Sequence, residues 1–327
     1  MPARRSPAPG RVALIVLGGG ILFAGLSALF VQLLQPFPLT ASEGAGSRDF
    51  LASNEEAPVP DVQSDAGPRA LDQSAVSQGT RAAAGTSAPA ADPMADPLPE
   101  GALVAILMTE LGPDATASRR AIEDLPEGVT FTFSPYAEVS PSLALEAHAD
   151  GHEVFVSVPM EPQRYPRINP GENTLLRNSG ASENLERLAW ALDRFDDVDG
   201  TTGMMGSAFT QDAAALRPVM KALHMRGLTY IDARASARSV AAETARDAGV
   251  PAQSNDRFLD EPATSANIET NLSALFATAK RRGYAIGYAR PTAATIDALS
   301  DIDARAEEAG ISLVGASRLA RGLQDRP

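Results

Sequence analysis

Four carboxylates stand where an apolar run meets a polar turn. Glu110 follows Leu103–Met108, Glu161 follows Val154–Val158, Asp232 follows Leu228–Ile231, and Asp260 follows Phe258-Leu259. Carboxylates brought together at strand ends suit general acid–base work, one giving a proton where another takes it. Each could equally cap a helix or neutralise Arg234 or Arg290, which occupy the same turns. Other chemistries have less to stand on. The chain has no cysteine and three histidines, His148, His152 and His224. The lack of cysteine excludes disulfides, thiolate metal sites, iron–sulfur clusters and cysteine nucleophiles. No histidine follows a strand. His148 and His152 are four residues apart, but Gly151 breaks the helix that would put both on one face. Gly18-Gly19-Gly20 lies inside a long apolar run and is no phosphate loop.

The elements that would position these carboxylates have a repeating texture from about Leu103 onward. An amphipathic helix ends in glycine and a short apolar strand follows. Gly151 precedes Val154–Val158, Gly227 precedes Leu228–Ile231, Gly283 precedes Tyr284–Ile286, and Gly310 precedes Ile311–Val314. Gly249 precedes Val250–Ala252 in the same way. Glycine suits the left-handed residue that ends a helix. Leu185, Leu188, Ala189, Leu192 and Phe195 form one helical stripe, and Ile268, Leu272, Leu275, Phe276 and Ala279 another. Pro218 is expected to start a new helix after Leu216-Arg217. Strands alternating with helices imply a parallel sheet, and some seven units in about 220 residues fit one α/β (β/α) barrel. Functional residues then belong at the C-terminal ends of the strands.

Ahead of this domain the chain is different. Arg4, Arg5 and Arg11 precede Val12–Leu34, a run without charge, followed by Glu43 and Asp49. The run is long enough to cross a bilayer core of about 30 Å. No small-x-small cleavage site follows it, so residues 1–35 are expected to be a cytoplasmic stub and an uncleaved inner-membrane anchor. The positive-inside bias then places the rest of the chain in the periplasm. Residues 36–99 are rich in Pro, Ala, Ser and Asp, and 36–98 carry nine acidic and three basic side chains. Such a stretch cannot bury enough apolar surface to order itself and reads as a disordered tether. The whole chain has a net charge of −13, which disfavours nucleic acid as a partner.

Five motifs give the region 100–327 a family likeness. They are Val158-Pro159-Met160-Glu161-Pro162, Pro170-Gly171-Glu172-Asn173-Thr174-Leu175-Leu176, Met205-Gly206-Ser207-Ala208-Phe209-Thr210, Arg238-Ser239-Val240-Ala241 and Asp256-Arg257-Phe258-Leu259-Asp260. In these the chain resembles the divergent polysaccharide deacetylases, exported bacterial proteins with a distorted (β/α) barrel. The resemblance covers roughly residues 100–320. It implies a divalent ion such as zinc that activates water against the acetamide of an N-acetyl sugar.

The metal-binding motifs of that family are altered here. Its Asp-Asp-Leu-Gly reads Thr109-Glu110-Leu111-Gly112, and Met204 stands at the histidine of Asn-Asn-His-Met-Gly-Ser. Gly-His-Pro-His-Pro has become Gly287-Tyr288-Ala289-Arg290-Pro291, and the histidine before Leu-Pro-Met-Glu is Ser157. A thioether is too soft for zinc, and an arginine opposes a dication. The expectation is therefore an inactive deacetylase-like domain with no metal or other cofactor, binding glycan or peptidoglycan fragments. Glu110, Asp232 and Asp260 are the catalytic candidates of a decayed centre. Glu161, Asn173, Arg234, Tyr288 and Arg290 are the expected substrate contacts, with Arg290 either holding a ligand carboxylate or satisfying Asp260 or Glu110. A working carbohydrate deacetylase and an envelope protein-interaction module are the alternatives.

Overall fold

The computed structural model describes residues 97–324. The anchor expected at 12–34 and nearly all of the tether lie outside the described residues. Among the described residues no helix is long and apolar enough to cross a membrane.

The first half of the domain runs β1 (Ala102–Leu111), α1 (Ala115–Asp124), β2 (Val129–Phe133), α2 (Ser140–Ala149), β3 (Val154–Met160), α3 (Ala181–Leu192), β4 (Gly200–Met205) and α4 (Ala213–Met225). The second half runs β5 (Thr229–Asp232), α5 (Ala241–Asp247), β6 (Ala252–Ser254), β7 (Arg257–Phe258), α6 (Ser265–Arg282), β8 (Tyr284–Ala289), α7 (Ala293–Leu299), α8 (Ile302–Glu308), β9 (Ile311–Leu313) and α9 (Ala316–Gln324). The strands form one parallel, curled sheet in the order β6-β5-β4-β3-β2-β1-β8-β7, with β9 on the start of β1. The two edge strands are consecutive in sequence, and the residues between them span the seam. The Asn255 amide donates to Asp232 O at 2.8 Å, and the Asp256 amide donates to Ile286 O at 2.9 Å. The architecture is the barrel-like α/β fold that the strand–helix cadence implies.

Strand alternation divides the core in two. Val104, Ile106 and Met108 face the helices, while Leu103, Ala105 and Leu107 fill the barrel, all fully buried. Val314, Ala316, Leu319 and Ala320 join the inner cluster, so α9 plugs the end of the barrel where the strands begin. Glu153 anchors that plug. Its carboxylate accepts the Ser317 amide at 2.7 Å, the Ser317 hydroxyl at 2.7 Å, the Arg318 amide at 3.0 Å and the Thr130 hydroxyl at 3.1 Å. A negative charge on the first amides of a helix also complements its dipole. The glycines that end helices, at 151, 227, 249, 283 and 310, all have φ between 67° and 90°.

The helix expected to start at Pro218 does not start there. α4 begins five residues earlier, because the Asp212 carboxylate accepts the amides of Ala214 and Ala215 at 3.0 and 3.1 Å. Pro218 costs one hydrogen bond within the helix. Leu216, Val219, Met220 and Leu223 are all buried and hold the helix together across it.

Candidate functional site

At the C-terminal ends of the strands the barrel opens into a mouth of about 210 Å3. Its polar lining comes from Thr109, Glu110, Ser157, Thr202 and Tyr288; its apolar lining includes Met204, Met205, Ala233, Ala235 and Phe258. Glu110 arrives there through an irregularity in β1. Met108 pairs with Phe131 and Leu111 with Phe133, so β1 spends one residue more than β2 over that interval. Glu110 takes φ 64° at this bulge. Thr109 stays on the inner face, Glu110 is exposed at the rim, and Leu111 returns to the outer core. Met205 (φ 62°) and Arg234 (φ 53°) are also left-handed, at the ends of β4 and β5. These three are the only non-glycine residues with positive φ among the described residues, and all ring this mouth. Strained backbone of this kind concentrates where side chains must be aimed.

The floor of the mouth is a network of neutral hydroxyls. Tyr288 Oη lies 2.8 Å from Thr202 Oγ1 and donates to Ile231 O at 3.2 Å. Its proton is thus committed to the backbone, and Thr202 donates to it. Burial pushes the Tyr288 phenol far above its ordinary value, so it stays protonated. Ser157 Oγ and Thr132 Oγ1 are 2.9 Å apart and share one hydrogen bond. Thr109 donates to Ala289 O at 3.3 Å. The Phe258 ring meets Tyr288 edge-on, centroids 6.0 Å apart, as a wall.

The structure gives several of the expected site residues other partners. Asp260, 1% exposed, accepts Arg290 Nε at 2.8 Å and the Arg290 amide at 3.2 Å. Its hydrogen bond, followed by the fields of Asp260, Glu110 and Glu261, raises the Arg290 pKa despite partial burial. Of the two roles weighed for Arg290, the structure shows the pairing with Asp260. Glu161 receives Arg177, through its amide at 2.8 Å and its guanidinium at 2.9 and 3.2 Å. The Asn173 amide donates to Tyr136 Oη at 3.0 Å. These contacts show what the Pro-Gly-x-Asn-Thr-Leu-Leu motif builds. Gly171 has φ 137°, and a Cβ there would come 2.2 Å from the Tyr136 ring. Leu175 then bonds Pro159 O, and Glu161 bonds Leu175 O, at 2.8 and 2.9 Å. The motif latches the loop after β3 and does not reach into the mouth.

Asp232 is buried beside the mouth and outside its lining, accepting the Arg234 amide at 2.9 Å. Burial raises its pKa, and hydrogen bonds from the Arg234 amide and the Ser239 hydroxyl, together with the charge of Arg234, partly offset that. A folded-state pKa above the unfolded one gives stability that is complete below about pH 4 and lost as pH rises through the folded value. Asp232→Asn keeps an acceptor for the Arg234 amide. It is expected to equal or exceed the parent in stability at pH 7 and to flatten the dependence of melting temperature on pH above about pH 4. Parallel melting curves for the two proteins across that range would refute this role.

The donor set at the mouth does not fit a divalent ion. One carboxylate, Glu110, stands among hydroxyls bound to one another or to the backbone and the thioethers of Met204 and Met205. Zinc wants several nitrogen, thiolate or carboxylate donors on one point, and magnesium or calcium wants several oxygens. The charge of Arg290, read from sequence as opposing a dication, is already balanced by Asp260. The misfit therefore lies in the lining itself. The histidines are used elsewhere. His152 Nδ1 meets Val129 O at 2.9 Å and its ring packs on Phe131. His224 Nδ1 meets Gly249 O at 3.0 Å, and His148 Nε2 lies 3.5 Å from Asp197. His148 and His224 close helices and His152 lies just ahead of β3, at the barrel end opposite the mouth.

A family model described as divergent polysaccharide deacetylase matches residues 106–320. The chain belongs to this family. A solved structure of an uncharacterized protein from Agrobacterium tumefaciens, ATU2773, is 33% identical, with a TM-score of 0.65 over 72% of this chain and 93% of that one. An uncharacterized protein of Haemophilus influenzae is 29% identical over 62% of this chain and 71% of its own. The uncharacterized protein YibQ of Escherichia coli is 27% identical over 54% of this chain and 55% of its own. Within this deacetylase family most of the altered motif positions acquire a common location. Thr109, Glu110, Ser157, Met204 and Tyr288 line the one mouth, while Arg290 stands outside that lining, paired with Asp260.

Proposed function

We propose that this deacetylase-family domain is a metal-independent glycan-binding module, held at the periplasmic face of the inner membrane by residues 12–34. The observation that carries the reading is the fate of the motif positions. At five of the positions where the resemblance implies aspartates and histidines, the mouth presents Thr109, Glu110, Ser157, Met204 and Tyr288, and at a sixth Arg290 is paired with Asp260. Tyr288 and Ser157 are engaged in neutral hydrogen bonds across the barrel. An entering ligand meets hydroxyls, one carboxylate, thioethers and an aromatic wall. That mixture suits a pyranose ring, with its apolar faces and hydroxyl-bearing edge. The volume, about 210 Å3, is smaller than a drug-sized pocket and admits one ring or a chain end. Hydrolysis would need a base together with an electrophile or oxyanion donors, and the lining offers Glu110 no second carboxylate, histidine or cationic side chain. The envelope placement rests on the arginines ahead of the apolar run and the acidic stretch after it.

The full chain titrated with N-acetylglucosamine oligomers and soluble peptidoglycan fragments tests this reading. Binding without acetate release is expected, and Ala233→Trp, which fills the mouth, is expected to weaken it by about tenfold or more. A C-terminal reporter is expected to be active only on the exported side. Acetate release that disappears in Glu110→Gln, or a reporter active only in the cytoplasm, would overturn the respective half of the proposal.

A further inference from the structure

Three segments around the mouth, 162–170, 206–211 and 233–240, contain four arginines and no Asp, Glu or Lys, in a chain whose net charge is −13. The arginines are Arg164, Arg167, Arg234 and Arg238, all exposed. Among the described residues their guanidinium groups make no ion pair or hydrogen bond, and only Arg234 is close enough to a carboxylate, buried Asp232, for its charge to act on it; Arg120, Arg177, Arg282, Arg290 and Arg305 are each held by a carboxylate. An excess of one charge sign, left unpaired, marks a surface kept for a partner of the opposite sign.

The three segments are tied into one scaffold. The Gln163 amide and Nε2 donate to Ser207 Oγ and O, both at 3.1 Å. Gln211 Nε2 donates to Ser207 O at 2.6 Å and to Ser236 Oγ at 3.1 Å, and the Arg238 amide donates to Ser236 Oγ at 3.2 Å. Arg234 is set by its left-handed backbone, φ 53°, with its amide held by buried Asp232. Ala233 and Ala235, on either side of Arg234, line the mouth itself. We infer that the loops after β3, β4 and β5 form an arginine track that binds an anionic glycan, one bearing carboxylates or phosphates along its length, as it leaves the mouth. The inference rests on the mouth as a glycan site. A mouth sized for one ring leaves the rest of a polymer to cross the rim, and the segments 162–170, 206–211 and 233–240 on this side carry only positive charge. Arginine suits this role because its planar fork meets carboxylate and phosphate in two parallel bonds.

The test compares four probes on the full chain: a neutral N-acetylglucosamine oligomer, a uronate-containing oligosaccharide of the same length, a phosphorylated one, and a DNA oligonucleotide. The acidic oligosaccharides are expected to bind about tenfold or more tighter than the neutral one at low salt. That gap is expected to close at about 0.5 M salt. The triple substitution Arg164→Gln, Arg167→Gln, Arg238→Gln is expected to close it too, at unchanged melting temperature. The uronate and phosphate arms identify which acid the track prefers. Equal affinity for neutral and acidic oligomers, a gap that survives the triple substitution, or DNA outcompeting both acidic glycans would overturn the track. Arginine-dependent binding of acidic oligomers with no binding of the neutral one would instead overturn the mouth and leave the track standing.

Discussion

Replacing Glu153 with alanine is expected to destabilise the domain by about 3 kcal/mol, lowering its melting temperature by roughly 6–12 °C. The carboxylate satisfies two backbone amides and two hydroxyls, three of the four groups belonging to Ser317 and Arg318 in the first turn of α9. Loss of a helix cap alone costs about 1 kcal/mol, and each buried donor left unsatisfied adds about 1–3 kcal/mol before water reaches it. The consequence is global because α9 closes the inner core through Ala316, Leu319 and Ala320. Glu153→Gln keeps the size and one acceptor oxygen and should fall between the two. Gly315→Ala offers a second route to the same defect, since a Cβ there would come 2.3 Å from the Glu153 carboxylate. A Glu153→Ala protein that melts within 2 °C of the parent, taken as roughly 1 kcal/mol or less, would mean that α9 is not held from this residue.

Arg290→Ala is the second large effect. Asp260 is 1% exposed, and without the guanidinium it keeps only the backbone amide of residue 290 as a donor. Removing one partner of a buried pair costs about 3–5 kcal/mol; the Arg290 side chain is 45% exposed, so about 2–3 kcal/mol is expected at pH 7. Adding Asp260→Asn to Arg290→Ala is expected to recover more than half of the loss at neutral pH. A loss that the second substitution does not relieve would separate Arg290 from Asp260 and make it a candidate ligand contact again.

The partners in both predictions are distant in sequence. Glu153 and Ser317 are 164 residues apart, Asp260 and Arg290 30, and Thr202 and Tyr288 86. Reading along the chain finds the strand ends and therefore the rim of the mouth. It does not show which of two carboxylates at that rim faces the opening. Glu110 and Asp232 look alike in sequence, each closing an apolar run before a polar turn. A one-residue bulge in β1 brings Glu110 into the lining, while Asp232 sits beneath its own turn, bonded to Arg234. Glu161 belongs to the most recognisable motif of the chain, and the contacts explain its presence there by the latch to Arg177. Pro218 shows the same limit within one helix, where a cap at Asp212 and a buried stripe outweigh a local signal for a helix start.

Local chemistry was enough for the parallel barrel-like order of strands and helices, the glycine-ended helices, the family motifs and the shortage of metal-binding side chains. Each of these is encoded in neighbouring residues, through backbone preference, apolar period or residue type. The tertiary structure decided the rest: the pairing of Arg290 with Asp260, the crossing of Thr202 to Tyr288 beneath the mouth, the capping of α9 by Glu153, and the tying of the loops after β3, β4 and β5 through Gln163, Ser207, Gln211 and Ser236. Hydrogen bonds and ion pairs act over a few ångströms. Which side chains come within that reach is set by how the sheet curls and where its bulge falls, and a linear reading contains neither distance.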